Sequence, residues 1–186
     1  MHRLILAMLV ITSLPALAND AAWLTEARRV AGIVPPKLLA TLSAEIAKAG
    51  PEGAIGVCRE QAPQMAKAAS EQTGWAIRRV SLRNRNPKAV PDAWERAALE
   101  DFDRRAAAGE SPAALEKGEI VADGARKEYR YLKALPAQEF CLQCHGTPDR
   151  IAPGVRDQLK ALYPDDKAVG YRAGEIRGAI TIRKPV

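Results

Sequence analysis

Histidine is almost missing from this 186-residue chain, which holds His2, His145 and no other. If the N-terminus is removed as a leader, His145 stands alone. No site can then rest on a pair of histidines, and no second imidazole is present for acid–base work. Long apolar runs are missing too. The most apolar stretch, Leu4 to Leu14, falls short of the roughly 20 residues that cross a bilayer core. There is no internal repeat, no low-complexity segment and no kinase or other output module. Methionine is down to three residues and cysteine to three, so each of these side chains asks for an explanation.

What is present begins with an export signal. Met1-His2-Arg3 gives a short positive start, Leu4 to Leu14 an apolar centre, and Ala16-Leu17-Ala18 the small residues a signal peptidase reads. Residues 1–18 are therefore expected to be cleaved before Asn19, with the protein periplasmic. No cysteine follows that point, so neither a lipid anchor nor stable membrane insertion is expected after cleavage; the alternative is an uncleaved membrane anchor. The remaining residues, 19–186, suffice for one domain with its own core. The formal charge of +6 falls to +5 when Arg3 is lost. Moderate, interspersed basicity in an exported chain suits an acidic protein partner, and no nucleic acid is expected.

Apolar residues on one face predict helices. Trp23, Ala27, Val30 and Val34 form one stripe, interrupted by Pro35-Pro36, and Leu38, Leu39, Leu42 and Ile46 form a second, ended by Gly50-Pro51. Residues 53–71 continue as a helix that must kink or restart at Pro63, which lacks the amide to continue the ladder. Trp75 to Leu82 reads as a strand and Asn84 to Pro87 as a turn. Asp92 caps a helix to about Ala108, broken by Gly109 to Pro112. Strands are expected over 118–123 and 127–134, a helix near 153–162, and a last strand in which Ile176, Gly178, Ile180 and Ile182 alternate with Arg177, Ala179, Thr181 and Arg183. Strands without regular helical crossovers imply an α+β fold with an antiparallel sheet.

The strongest motif is Phe140-Cys141-Leu142-Gln143-Cys144-His145-Gly146. Two thiols three residues apart can each add across a vinyl group of one porphyrin, and the histidine that follows lies under the ring as an iron ligand. This points to one covalent haem c on Cys141 and Cys144 with His145 axial. Three other uses compete. A redox dithiol normally opens a helix in a βαβ setting, which the sequence lacks. A zinc site from Cys58, Cys141, Cys144 and His145 has the right count, but the adjacent Cys144 and His145 cannot easily reach one small ion. The third is a plain Cys141–Cys144 disulfide.

The second axial position stays open at this point. With one histidine and one methionine after cleavage, the choices are Cys58, Met65, a lysine, a backbone or solvent ligand, or an empty position. Cys58 and Met65 are seven residues apart and would share a face of an unbroken helix. Ligation would account for the odd thiol of Cys58; an inert buried thiol is the alternative, and Met65 is better explained as core filling. If the ring is buried, its propionates need cations. Arg78, Arg79, Arg83 and Arg85 are the densest group, with Arg79 and Arg83 placed first.

These residues occur within a wider pattern. Gly56-Val57-Cys58 precedes Ala62-Pro63. Arg79-Val80-Ser81-Leu82-Arg83-Asn84-Arg85-Asn86-Pro87 is followed by Pro91-Asp92-Ala93-Trp94-Glu95, then by Tyr129-Arg130-Tyr131-Leu132. The haem motif, Tyr163-Pro164-Asp165-Asp166-Lys167-Ala168-Val169-Gly170-Tyr171 and Ile176-Arg177-Gly178-Ala179-Ile180 complete it. In that order they resemble a family of small periplasmic c-type haem domains with a PAS-like fold, long described as a domain of unknown function and related to sensing modules of histidine kinases. The resemblance implies an antiparallel sheet flanked by N-terminal helices, with haem between them, and His/Cys ligation with the cysteine at Cys58. It points to a redox or diatomic-gas sensor answering to CO or NO; the free-standing form and a covalently held haem point instead to a one-electron carrier, and either would act with an unidentified periplasmic redox or signalling protein. An enzyme is not expected, because no distal histidine is available.

Overall fold

The computed structural model describes residues 14–186, and the expected leader lies largely outside them. The first helix, α1 (Leu14–Ala31), already begins within the expected leader. It stops at Gly32, and α2 (Val34–Gly56) starts with Pro35 in its first turn. A proline there removes an amide that has no intrahelical acceptor, so Pro35-Pro36 opens α2 rather than interrupting a helix. Gly50 (φ 71°, ψ 178°) kinks α2 just before Pro51. By length and composition the helical stretch Asp20–Thr73 would pass as a membrane span, with a mean hydropathy of 1.3 in its most apolar window. It is broken at Gly32, at Gly50 and after Gly56, and parts of it form core.

A π-helical turn, Val57–Gln61, joins α2 to α3 (Ala62–Thr73). The cause is Pro63, whose ring collides with the carbonyl four residues back in a regular helix. The chain widens by one residue instead, and the Ala62 amide donates to the Val57 carbonyl. The αL residue Gly74 ends α3.

Four strands follow: β1 (Ala76–Val80), β2 (Glu116–Asp123), β3 (Arg126–Pro136) and β4 (Ile176–Pro185). They form one sheet in the order β1-β4-β3-β2, and every neighbouring pair is antiparallel. The α+β expectation therefore holds. Between β1 and β2 lies α4 (Ala93–Ala107), opened by a capping box in which Asp92 accepts from the Glu95 amide and Glu95 accepts from the Asp92 amide. The haem motif falls on α5 (Leu142–His145), followed by α6 (Pro153–Leu162).

Alternation along the strands gives the sheet two apolar faces. Ile77, Tyr129, Tyr131, Ile180 and Ile182 pack with Trp75 against Ala27 and Val30 of α1 and Ala69 of α3. Val80, Leu132, Ala134 and Ala179 pack on the opposite face against Ala98, Leu99 and Phe102 of α4. A third cluster joins Ile55 of α2 to Ile151, Val155 and Leu159, with Cys144 at its edge. That cluster fixes α5 against the end of α2 and so brings the haem motif toward Cys58.

Candidate functional site

Cys141 ends a short 3-10 turn, and Leu142 to His145 form a single helical turn closed by the Gly146 amide on the Leu142 carbonyl at 2.8 Å. A Cβ at Gly146 would lie 2.6 Å from that carbonyl, so only glycine fits. The segment 168–171 straps the turn down. Tyr171 donates its amide to the His145 carbonyl at 2.9 Å, and Gly170 donates to Gly146 at 2.7 Å. The imidazole of His145 is 6% exposed, with the Tyr171 ring edge-on to it at 6.4 Å.

Nδ1 of His145 lies 2.6 Å from the Ala168 carbonyl. A carbonyl only accepts, so Nδ1 carries the proton and Nε2 keeps its lone pair. Burial, reinforced by Arg177 and Arg85, holds the imidazole pKa well below its ordinary value. The ring is thus neutral at pH 7, oriented by its second nitrogen and able to bind a metal through Nε2.

All three cysteines are free. Burial pushes the Cys144 thiol up to about 11, against the opposing pull of Arg85. A thiol that keeps its proton is a poor nucleophile, which counts against a redox dithiol. No group of three or more His, Cys, Asp or Glu side chains suitable for a metal ion forms among the described residues, so the zinc alternative has no support.

Cys58 sits in the π turn and is exposed. Its thiol is near enough to Arg79, Arg177, Cys144 and Tyr163 to act on their protonation. Met65 points elsewhere, into the core under Trp75. The extra residue of the π turn offsets the helix by roughly 100°. That offset separates two side chains which an unbroken helix would align.

The arginines divide by partner. Arg78 pairs with Glu95 at 2.5 Å on the α4 side of the sheet. Arg83 donates to the Val169 carbonyl and stacks 4.0 Å from the Tyr171 ring. Arg85 has a carboxylate, Asp166 at 2.9 Å, and also donates to the Cys144 carbonyl at 2.6 Å, tying α5 to the strap. Arg79 and Arg177 have no carboxylate partner among the described residues. Both are half-buried, and loss of solvent lowers both pKa values, that of Arg177 to about 9, with Arg79 and Arg85 adding to the effect at Arg177 and Arg85 at Arg79. Arg177 reaches 3.4 Å from the His145 ring, and Arg79 donates to the Arg177 carbonyl at 3.4 Å.

Strict alternation would turn Arg177 toward α4, together with Ala179 and Thr181. A β-bulge prevents this. Ala134 opposes Ala179 but Pro136 opposes Ile176, so β4 spends one residue more than β3 across that span. Beyond the bulge Ile176 packs in the α4 core, where alternation had placed it with Ile180 on the other face. Arg177 consequently shares the face of Arg79. The bulge centres on Gly178 (φ 140°), where a Cβ would lie 2.3 Å from the Val80 carbonyl. Sequence reasoning missed Arg177; its signal was the glycine inside a strand pattern, which marks a bulge or close backbone approach.

An open cleft of about 460 Å³ borders α5 through Leu142 and Gly146, lined also by Glu139, Tyr171 and Arg172. It includes neither Cys58 nor His145. The residues that fit a haem lie elsewhere: two free thiols beside a neutral, buried imidazole, with two half-buried guanidiniums that have no carboxylate partner among the described residues.

The sequence model of one family, described as Tll0287-like, matches residues 11–185. A crystal structure of the cyanobacterial haem protein Tll0287 superposes with a TM-score of 0.62 at 24% identity, over 92% of this chain and 96% of that one. At that identity the likeness is one of fold. No curated protein matches the chain.

Proposed function

We propose a function from the premise that the chain belongs to the Tll0287-like family: it is a periplasmic mono-haem c-type cytochrome domain that senses redox state or a diatomic gas. The observation that carries this is the meeting of free Cys141 and Cys144, a neutral His145 with its lone pair on Nε2, and Cys58 within electrostatic range. Cys141 and Cys144 would hold the haem through thioether bonds, His145 would bind the iron, and Cys58 would be its second protein ligand. The structural neighbour is itself a haem protein, which supports the same cofactor here. The helices flanking the antiparallel sheet support a PAS-like architecture with haem between sheet and helices.

A haem supplies one-electron exchange and, at an open axial position, binding of CO or NO. Cys58, as a thiolate, adds negative charge and electron density, which favours ferric iron and a low potential. Were the iron reduced by one electron from a redox partner, Cys58 would be the residue to release it, as a thiol with one proton taken up, and so to admit a gas. An enzyme is not proposed, since His145 is committed and no second imidazole is present among the described residues. If Cys58 instead stays bound in both states, the domain is a one-electron carrier to a periplasmic partner.

Absorption spectra of the oxidised and reduced protein, with and without CO, test the proposal beside Cys58→Ala. The sensor predicts a CO complex on reduction and a changed ferric spectrum in C58A. A ferric spectrum and potential unchanged in C58A would overturn both the ligation and the switch. A reduced protein indifferent to CO with fast electron exchange would favour the carrier.

A further inference from the structure

We propose that Arg79 and Arg177 form the clamp that binds the haem propionates, and that the Gly178 bulge exists to complete it. This rests on the haem reading above and extends it to the propionates, with Arg177 joining Arg79, which the sequence already put forward.

Two half-buried like charges held close together without an acid are costly, and a counter-ion meeting them relieves that cost. The two arginines that reach the motif from the turn after β1 already have partners. Arg85 has Asp166, and Arg83 has the Val169 carbonyl and the Tyr171 ring. Arg79 and Arg177 donate to no acid among the described residues; Arg177 lies 3.4 Å from the His145 ring, and Arg79 reaches the Arg177 carbonyl from the neighbouring strand. Guanidinium matches carboxylate in shape and binds it through two parallel hydrogen bonds.

The charges balance as well. A ferric porphyrin core carries one positive charge and the Cys58 thiolate cancels it. Two propionates then leave two negative charges, which the two guanidiniums neutralise. The bulge is part of the same design, because without it Arg177 would lie across the sheet from Arg79. Arg83, first choice beside Arg79 from sequence, is committed to the strap.

The test uses the haem-loaded protein and the variants Arg79→Gln, Arg177→Gln and Arg83→Gln, with Arg177→Lys as the conservative change. Midpoint potential and the propionate carboxylate bands of the oxidised-minus-reduced infrared spectrum are measured. R79Q and R177Q should each lower the potential and shift those bands. R177K should retain most of the potential while still moving the bands, because a point charge replaces the planar fork. R83Q loses a strap contact but no propionate contact, so its carboxylate bands should stay where they are in wild type. Should R79Q not load haem, R177Q decides. Normal haem loading with R177Q indistinguishable from R83Q would overturn the clamp and leave the haem reading intact. A wild-type protein without covalent haem would overturn that reading itself.

Discussion

Replacing Gly178 by alanine is expected to cost about 3 kcal/mol, and the figure follows from two features of one residue. Its φ of 140° is a conformation that L side chains rarely adopt, and holding one there costs about 1–3 kcal/mol. The added Cβ would lie 2.3 Å from the Val80 carbonyl and 3.0 Å from the Ser81 Cβ. Backbone of β1 must therefore retreat, adding overpacking strain of about 1–3 kcal/mol. For a chain of this size each kcal/mol lowers the melting temperature by about 2–4 °C, so the haem-loaded variant should melt roughly 6–12 °C below wild type. Gly124→Ala is the control, because Gly124 (φ 59°) sits at the β2–β3 hairpin with nothing within 4 Å of an added Cβ. It should cost only the left-handed penalty, about 1–2 kcal/mol. Thermal melts followed by circular dichroism compare them. If G178A melted no lower than G124A, the close approach to Val80 and the bulge reasoning built on it would be wrong. A stable G178A whose potential matched wild type would likewise separate Gly178 from the placement of Arg177.

Two further substitutions probe the frame around the site. Glu95 is 2% exposed and holds Arg78 at 2.5 Å, Arg130 at 3.3 Å, the Thr181 hydroxyl at 3.0 Å and the Asp92 amide at 2.9 Å. Removing it in Glu95→Ala leaves Arg130 with Asp92 and Glu128 but strips the buried Thr181 hydroxyl of its acceptor, so denaturant titration should show a loss of about 1–3 kcal/mol. Glu26 accepts from the Trp75 indole at 2.9 Å, a bond that holds its carboxyl below the ordinary value of 4.5. Its contribution is complete above that value and disappears as pH falls through the lowered pKa. Glu26→Gln should therefore melt below wild type at pH 7, with the gap closing in acid; a gap that widened below pH 4.5 would contradict the assignment.

The elements most legible in the sequence are those whose cause is local. Asp92 and Glu95 three residues apart write a capping box, and the helix begins where they place it. Tyr129 and Tyr131 alternate with Arg130 and Leu132, and the sheet divides them between its two faces as the pattern requires. Pro63 announces a break, though not that a π turn absorbs it and sends Met65 into the core while Cys58 stays outside. The prolines at 35 and 36 suggest a stop, yet their missing amides suit the first turn of a helix equally well. The least legible feature is Arg177. Its orientation depends on the register of β4 against β3, a relation between segments about forty residues apart that no window along the chain contains. The contact of Arg83 is hidden for a similar reason, since the carbonyl that holds it belongs to Val169.

The central claim is a porphyrin fixed through Cys141 and Cys144. Protein exported alongside a cytochrome c assembly system, then denatured and weighed by mass spectrometry, tests it directly. The account predicts the mass of one haem retained under denaturation and lost in the Cys141→Ser, Cys144→Ser double variant. Colourless wild-type protein with the mass of the bare polypeptide would contradict it.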